Sequence, residues 1–202
     1  MSIKFGTEGW RAIMAEQFTA DNVRLVTQAI AEHMLEKMPG KAITLVVGHD
    51  TRFLSPLFAR AAAEVLAGNG IQALLTDRSV PTCAVSRYVV DKQLPAGIMI
   101  TASHNPPEYN SIKIKEAFGG SATSETVAGV EKRIGSPVKR IALDEAMALG
   151  RVRMANDLMP VYLKGIKSFI DLPLIRRSKF RVLVDSMHGA GGRIIEGLLR
   201  GG

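Results

Sequence analysis

Three short runs, residues 42–48, 71–75 and 97–101, are apolar almost without interruption, and each is followed or preceded by a stretch whose apolar residues recur at helical spacing. A strand that alternates apolar and polar residues has one dry face, whereas a strand apolar throughout has two and must be covered on both sides. Successive strands with a helix between them lie parallel, because the helix carries the chain back to the starting edge of the sheet. The class is therefore α/β, a three-layer α/β/α arrangement with a mostly parallel sheet.

Punctuation places the helices. Thr19 or Asp21 caps a helix that runs to about Lys37 and stops at Pro39-Gly40, with Val23, Val26, Ile30 and Met34 on its apolar face. Ser55-Pro56 opens the next, the serine hydroxyl accepting from a free N–H and proline occupying the first turn, and Gly68 and Gly70 end it. Further helices are expected over 82–90, 124–134 and 157–169, with a short extended piece at 111–115. Residues 180–184 read as another buried strand, followed by a loop at 185–192 and a helix from Arg193. One strand and one helix cannot bury their own apolar faces, so this tail reads as an incomplete second α/β domain in a truncated chain. The expected organisation is a first domain over 1–155, a connecting helix and linker over 156–177, and the start of the second domain over 178–202.

Hydrophobic residues at 47% and charged residues at 22% exclude a disordered or fibrous chain. No apolar stretch approaches the ~20 residues of a membrane span, and the first residues lack a secretory pattern, so no membrane association is expected. Cys83 is the only cysteine, which forbids an intrachain disulfide and suits a reducing, cytoplasmic setting. The net charge of +7 is unevenly spread: residues 1–130 carry 12 basic and 12 acidic side chains, residues 131–202 carry 14 and 7. The basic pairs of the last third are not interleaved with aromatics, so nucleic acid is not an expected partner.

Polar clusters follow the strands at their carboxyl ends, where open parallel sheets bind ligands. They are Gly48-His49-Asp50-Thr51-Arg52, Thr101-Ala102-Ser103-His104-Asn105-Pro106 and Asp185-Ser186-Met187-His188-Gly189-Ala190-Gly191-Gly192, joined by the amino-terminal segment Gly6-Thr7-Glu8-Gly9-Trp10-Arg11. Ser103 leaves a buried strand among Thr101, His104 and Asn105 and is stiffened by Pro106-Pro107. Its hydroxyl is a weak nucleophile alone and needs a base, a metal or a pre-attached group. Lys113 could serve as acid/base or as the cation opposing a phosphate. Spacing alone favours a plain capped turn in which Ser103 and Asn105 bond local backbone. Arg52 could bind phosphate or brace its own loop by pairing with Asp50. His49 and His188 read as satisfied polar residues at strand ends, and Trp10 as a packing anchor. The glycines at 189–192 miss the Gly-x-Gly-x-x-Gly dinucleotide spacing.

The segment Thr101 to Pro106, with Tyr109-Asn110-Ser111-Ile112-Lys113 after it, closely resembles the phosphoserine loop of the α-D-phosphohexomutases, the phosphoglucomutase/phosphomannomutase family. Residues 5–11 resemble that family's amino-terminal arginine loop, 48–52 its Asp-Thr-Arg segment, and 184–189 the start of its second domain, so the resemblance covers the entire chain. It implies a phosphotransferase that interconverts hexose 1- and 6-phosphates through a phosphoserine and a bisphosphate intermediate. Ser103 would carry the phosphoryl group, and its phosphate would be one ligand of Mg²⁺. His104, Lys113 and Arg11 would be catalytic, with Thr7, Arg52 and Asn105 contacting substrate or phosphate. Ser111 stands where the family commonly has glycine. The family's Asp-x-Asp-x-Arg/Lys metal loop and its sugar- and phosphate-gripping regions are absent from this sequence, so a complete metal site is not expected and the missing C-terminal domains become implied partners. Two other classes remain: a sugar-phosphate-binding or assembly module, and a serine hydrolase, against which the lack of Gly-x-Ser-x-Gly counts.

Overall fold

The computed structural model describes residues 3–6 and 9–200 of the chain. In order they form β1 (Trp10–Ile13), α1 (Ala20–Lys37), β2 (Thr44–His49), α2 (Ser55–Gly68), β3 (Gln72–Leu75), α3 (Thr82–Asp91), β4 (Ala96–Ile100) and β5 (Tyr109–Glu116). There follow α4 (Ser124–Glu131), α5 (Leu143–Ala148), β6 (Val152–Met154), α6 (Leu158–Phe169), α7 (Leu172–Arg177) and α8 (Ile194–Leu199). The six strands make one sheet in the order β1-β5-β4-β2-β3-β6. The pairings β4–β2, β2–β3 and β3–β6 are parallel, and β5 runs antiparallel to both β4 and β1.

The central strands are buried on both faces, as continuous apolar runs require. Leu45 and Val47 of β2 and Ile98 and Ile100 of β4 join a core with Val26 and Ile30 of α1, Phe58 and Leu66 of α2, Val130 of α4 and Ala146 of α5. Val46 and Met99 point the other way, into a second core with Val85 and Val89 of α3 and Leu158 of α6. α3 lies close to the sheet because Gly97 has no side chain: a Cβ there would come within 2.8 Å of Val89 and 2.9 Å of Val46. β1 is fastened to the first core by Trp10, stacked on Phe18 at 4.9 Å, with Phe18 edge-on to Phe58 at 4.8 Å.

β3 lies on one side of β2 and β4 on the other, so the strand order reverses beside β2. Open α/β sheets leave a crevice at the carboxyl ends of the strands at such a reversal. The Asp50 and Ser103 loops leave β2 and β4 at that edge.

Several expectations need correction. Thr19 does cap α1, its Oγ1 accepting from Asn22 N–H at 3.2 Å. Ser55, however, is not a cap: Leu54 precedes α2 in a left-handed conformation with no side-chain cap, and the Ser55 hydroxyl donates to Asp50 instead. The extended piece at 111–115 is the longer antiparallel strand β5. α5, β6 and α7 were not foreseen. Residues 180–184 form no strand, since no strand among the described residues lies beside them to complete a ladder, and Phe180 and Leu183 are 84% and 96% exposed. No described helix is long and apolar enough to cross a membrane.

Candidate functional site

Because β2 and β4 are parallel neighbours with His49 opposite Ile100, the residues after them meet at one edge. Asp50 N–H extends the ladder by donating to the Ile100 carbonyl at 3.1 Å. Its carboxylate then organises the loops. Oδ1 accepts from Arg52 N–H at 2.9 Å and from the Ser55 hydroxyl at 2.8 Å, while Oδ2 accepts from the Thr101 hydroxyl at 2.5 Å and faces Arg52 Nε at 3.6 Å. The Thr101 hydroxyl in turn accepts from Ser103 N–H at 3.0 Å. Below them, the Asn110 amide donates to Ser55 Oγ at 2.9 Å and the Ser111 hydroxyl to the Thr101 carbonyl at 2.7 Å. Ser55, Thr101, Asn110 and Ser111 are all buried, so this is a polar network in low dielectric, where satisfied partners rigidify and unsatisfied ones are costly.

On this base sits Ser103, exposed and held at φ +56°, a left-handed conformation that costs a non-glycine residue ~1–2 kcal/mol. Such strain persists only where surrounding contacts enforce it. The hydroxyl opens into a recess of about 380 Å³ lined by Gly6, Gly9, Arg11, Ala102, His104, Asn105, Ser111 and Lys113. His104 Nδ1 lies 3.3 Å from Ser103 Oγ, so the adjacent histidine does reach the hydroxyl. No carboxylate among the described residues hydrogen-bonds to His104 in the way the orienting third member of a hydrolase triad would. Arg11 sits opposite Ser111 in the β1–β5 ladder, and Lys113 is two residues further along β5, so all three share a face of the sheet.

The amino-terminal segment reaches the recess at Gly6 and Gly9. Gly9 has φ +129°, and a Cβ there would lie 2.2 Å from the Ile112 carbonyl oxygen, so only glycine lets this backbone rest on β5. The Phe5 N–H upstream donates to Glu131 of α4 at 2.7 Å, tying the incoming chain to the helical layer.

The structure thus brings Ser103, His104, Asn105, Lys113 and Arg11 together. Thr7 and its neighbour Glu8 lie outside the described residues, as do Gly201 and Gly202. Asn105 also closes the turn, its side-chain amide donating to the Ala102 carbonyl at 2.7 Å, so the capped-turn geometry coexists with the recess. Arg52 is the residue placed otherwise: it does not line the recess, and its guanidinium donates to carbonyl oxygens of the Ser103 loop. His49 Nδ1 lies 2.9 Å from the Asp50 carbonyl oxygen. The Thr51 hydroxyl donates to the His188 carbonyl at 2.8 Å, which brings the 185–192 loop against the Asp-Thr-Arg loop. The pairing of Asp50 with Arg52 is the bracing that the sequence allowed, whereas the supporting roles of Thr101, Ser55 and Asn110 were missed. Thr101 carried a signal as the polar residue directly after an apolar strand; Ser55 opens α2 and Asn110 lies within β5, where no such signal marks them.

Residues 2–140 match the model of the family described as phosphoglucomutase/phosphomannomutase, alpha/beta/alpha domain I. A phosphoglucomutase from Staphylococcus saprophyticus is 32% identical over 98% of this chain and 37% of its own length. A phosphoglucomutase/phosphomannomutase from Thermococcus kodakarensis is 32% identical over 97% of this chain and 42% of its length. Among solved structures, a Thermus thermophilus protein described as a phosphomannomutase superimposes with TM-score 0.87 at 36% identity, covering 99% of this chain and 43% of that one. The chain therefore spans about two fifths of the length of these relatives.

Proposed function

Because the chain belongs to the phosphoglucomutase/phosphomannomutase family, with the α/β/α fold of its domain I, we propose that it supplies the phosphoserine half of a hexose-phosphate mutase site. The observation that carries this reading is the Ser103 hydroxyl, exposed in a left-handed turn at the mouth of a recess lined by Arg11, His104 and Lys113, with no acidic side chain among the described lining residues.

That arrangement suits transfer of a phosphoryl group. Ser103 Oγ holds the group as an ester; a sugar hydroxyl attacks phosphorus in line and loses its proton, the P–Oγ bond breaks and Oγ takes up a proton in exchange, and the serine then takes back the phosphoryl group from the other end of the sugar bisphosphate by the reverse of these steps. A serine phosphate carries about −1.5 to −2 charge near neutrality. Catalysis then consists mostly of positioning and of offsetting charge as it develops on the leaving oxygen. Arg11 and Lys113 supply cations on one side, and His104 is within reach of Oγ to hold or return a proton.

For magnesium, which the family implies, the described residues offer no complete ligand set. No group of three or more His, Cys, Asp or Glu side chains among the described residues could hold an ion. The Asp50 carboxylate is bonded to Thr101, Ser55 and Arg52. A phosphate on Ser103 is the ligand this chain would contribute, and other ligands would have to come from elsewhere.

The domain plan belongs to the same proposal: 1–155 as domain I, 156–177 as the connection and 178–202 as the opening of a second domain. The exposed Phe180 and Leu183, together with the greater length of the relatives, support it. The test is mass spectrometry and turnover in the full-length polypeptide bearing this domain. A phosphoryl group on Ser103 and loss of nearly all hexose-phosphate interconversion in Ser103→Ala, with the fold intact, are expected. Wild-type turnover in that variant would refute the assignment.

A further inference from the structure

The geometry of Arg52 points beyond a general role in the site. Its Nη1 donates to the carbonyls of Pro106 at 2.8 Å and Tyr109 at 2.9 Å, and its Nη2 to those of Ser103 at 2.9 Å and of Asn105. Nε faces Asp50 Oδ2 at 3.6 Å. All four Nη N–H groups of the fork therefore have carbonyl partners, and the side chain is only 13% exposed. A substrate phosphate would have to strip carbonyls from the guanidinium to reach it.

The two peptide groups flanking Ser103 are pinned from the same source. Its N–H donates to the Thr101 hydroxyl, which is bonded to Asp50, and its carbonyl accepts from Arg52, which is paired with Asp50. Fixing both sides of one residue fixes its φ and ψ, and here the fixed conformation is the left-handed one that no backbone preference favours. We infer that Arg52 is a positioning residue: anchored by Asp50, it clamps the carbonyls of the 103–109 turn, so setting where the Ser103 hydroxyl points, and it takes no part in gripping substrate phosphate. This rests on the reading of Ser103 as the phosphoryl carrier. Arginine is required because a lysine ammonium directs its three donors from a single point and cannot span four carbonyls.

The experiment is amide hydrogen exchange on the 202-residue chain at Ser103, Asn105 and Tyr109, whose N–H groups are bonded within the loops. Arg52→Lys and Arg52→Ala should each raise exchange at these positions by roughly tenfold or more, with amides in β2 and β4 unchanged. Adding methylguanidinium should restore protection in Arg52→Ala, a recovery that a diffuse loss of stability would not give. If Arg52→Ala loses core protection as well, the Arg52→Lys comparison decides. Inorganic phosphate, titrated into the recess and followed at the His104 amide, should bind Arg52→Lys within about twofold of wild type. Loop exchange unchanged in both variants, or no recovery with methylguanidinium in a folded Arg52→Ala, overturns the clamp. A roughly tenfold loss of phosphate affinity with loop exchange unchanged would make Arg52 a phosphate ligand instead. Neither readout requires Ser103 to carry a phosphoryl group, so a Ser103 that is never phosphorylated would strike the proposed function alone.

Discussion

Replacing Thr101 by valine isolates the contribution of a single hydroxyl to the Ser103 loop. Valine has nearly the same shape, and Thr101 is 3% exposed, so packing is kept while two hydrogen bonds disappear. The bond to Asp50 at 2.5 Å is to a carboxylate, a class that contributes ~1.5–3 kcal/mol. The bond from Ser103 N–H is neutral and sits under an exposed turn where water can replace it, so it adds ~0.5 kcal/mol, the low end for its class. The expected destabilisation is therefore about 2–3.5 kcal/mol. Equilibrium urea unfolding of the chain measures it, with an unchanged slope showing that the same surface is exposed. Thr101→Ser keeps the hydroxyl and should lose only about 1 kcal/mol for the buried methyl. Combining Thr101→Val with Asp50→Asn gives the coupling directly. A loss under ~0.5 kcal/mol, or additive effects in the double variant, would mean that the carboxylate does not hold the loop through this hydroxyl.

Gly9→Ala should lift the amino-terminal loop from β5, because the added Cβ meets main chain at 2.2 Å and the φ of +129° is unfavourable as well. A cost of ~2 kcal/mol or more in urea unfolding is expected, and an alanine variant as stable as wild type would refute the close approach. Asp157 should give α6 a carboxylate-dependent hold on α3. The hydrogen bonds from Lys92 and Tyr88 keep its carboxyl below the usual aspartate value of 3.8. A depressed folded value means that this stabilisation is complete above the ordinary value and fades as pH falls below it through the depressed one. The difference in Tm between wild type and Asp157→Asn should therefore shrink on acidification below about pH 4; a difference independent of pH would show that the carboxylate charge is not involved.

The central strands were legible because residues 45–47 and 96–100 are apolar on both faces, a pattern that tolerates little else. Ser103 was legible too: a serine between a buried strand and Pro106-Pro107 is presented at an edge. β5 was only half legible, since its antiparallel pairing is decided by the ladders to β4 and β1 and its own residues mix apolar with polar. α5 and β6 are too short for a periodicity to register, and they are held by Ala146 and Val152 in the first core. Residues 180–184 show the converse, an apolar run that forms no strand among the described residues for want of a neighbouring one.

Composition, hydrophobic period and loop position thus determined the class of fold and the edge of the sheet at which chemistry is expected, because burial and chain reversal are local properties of the sequence. The role of Arg52 is a different kind of fact. Its partners are carbonyl oxygens more than fifty residues away, and Asp50 reaches Thr101 across two parallel strands. Backbone carbonyls carry no sequence signature, so only the folded chain decides which side chain they receive.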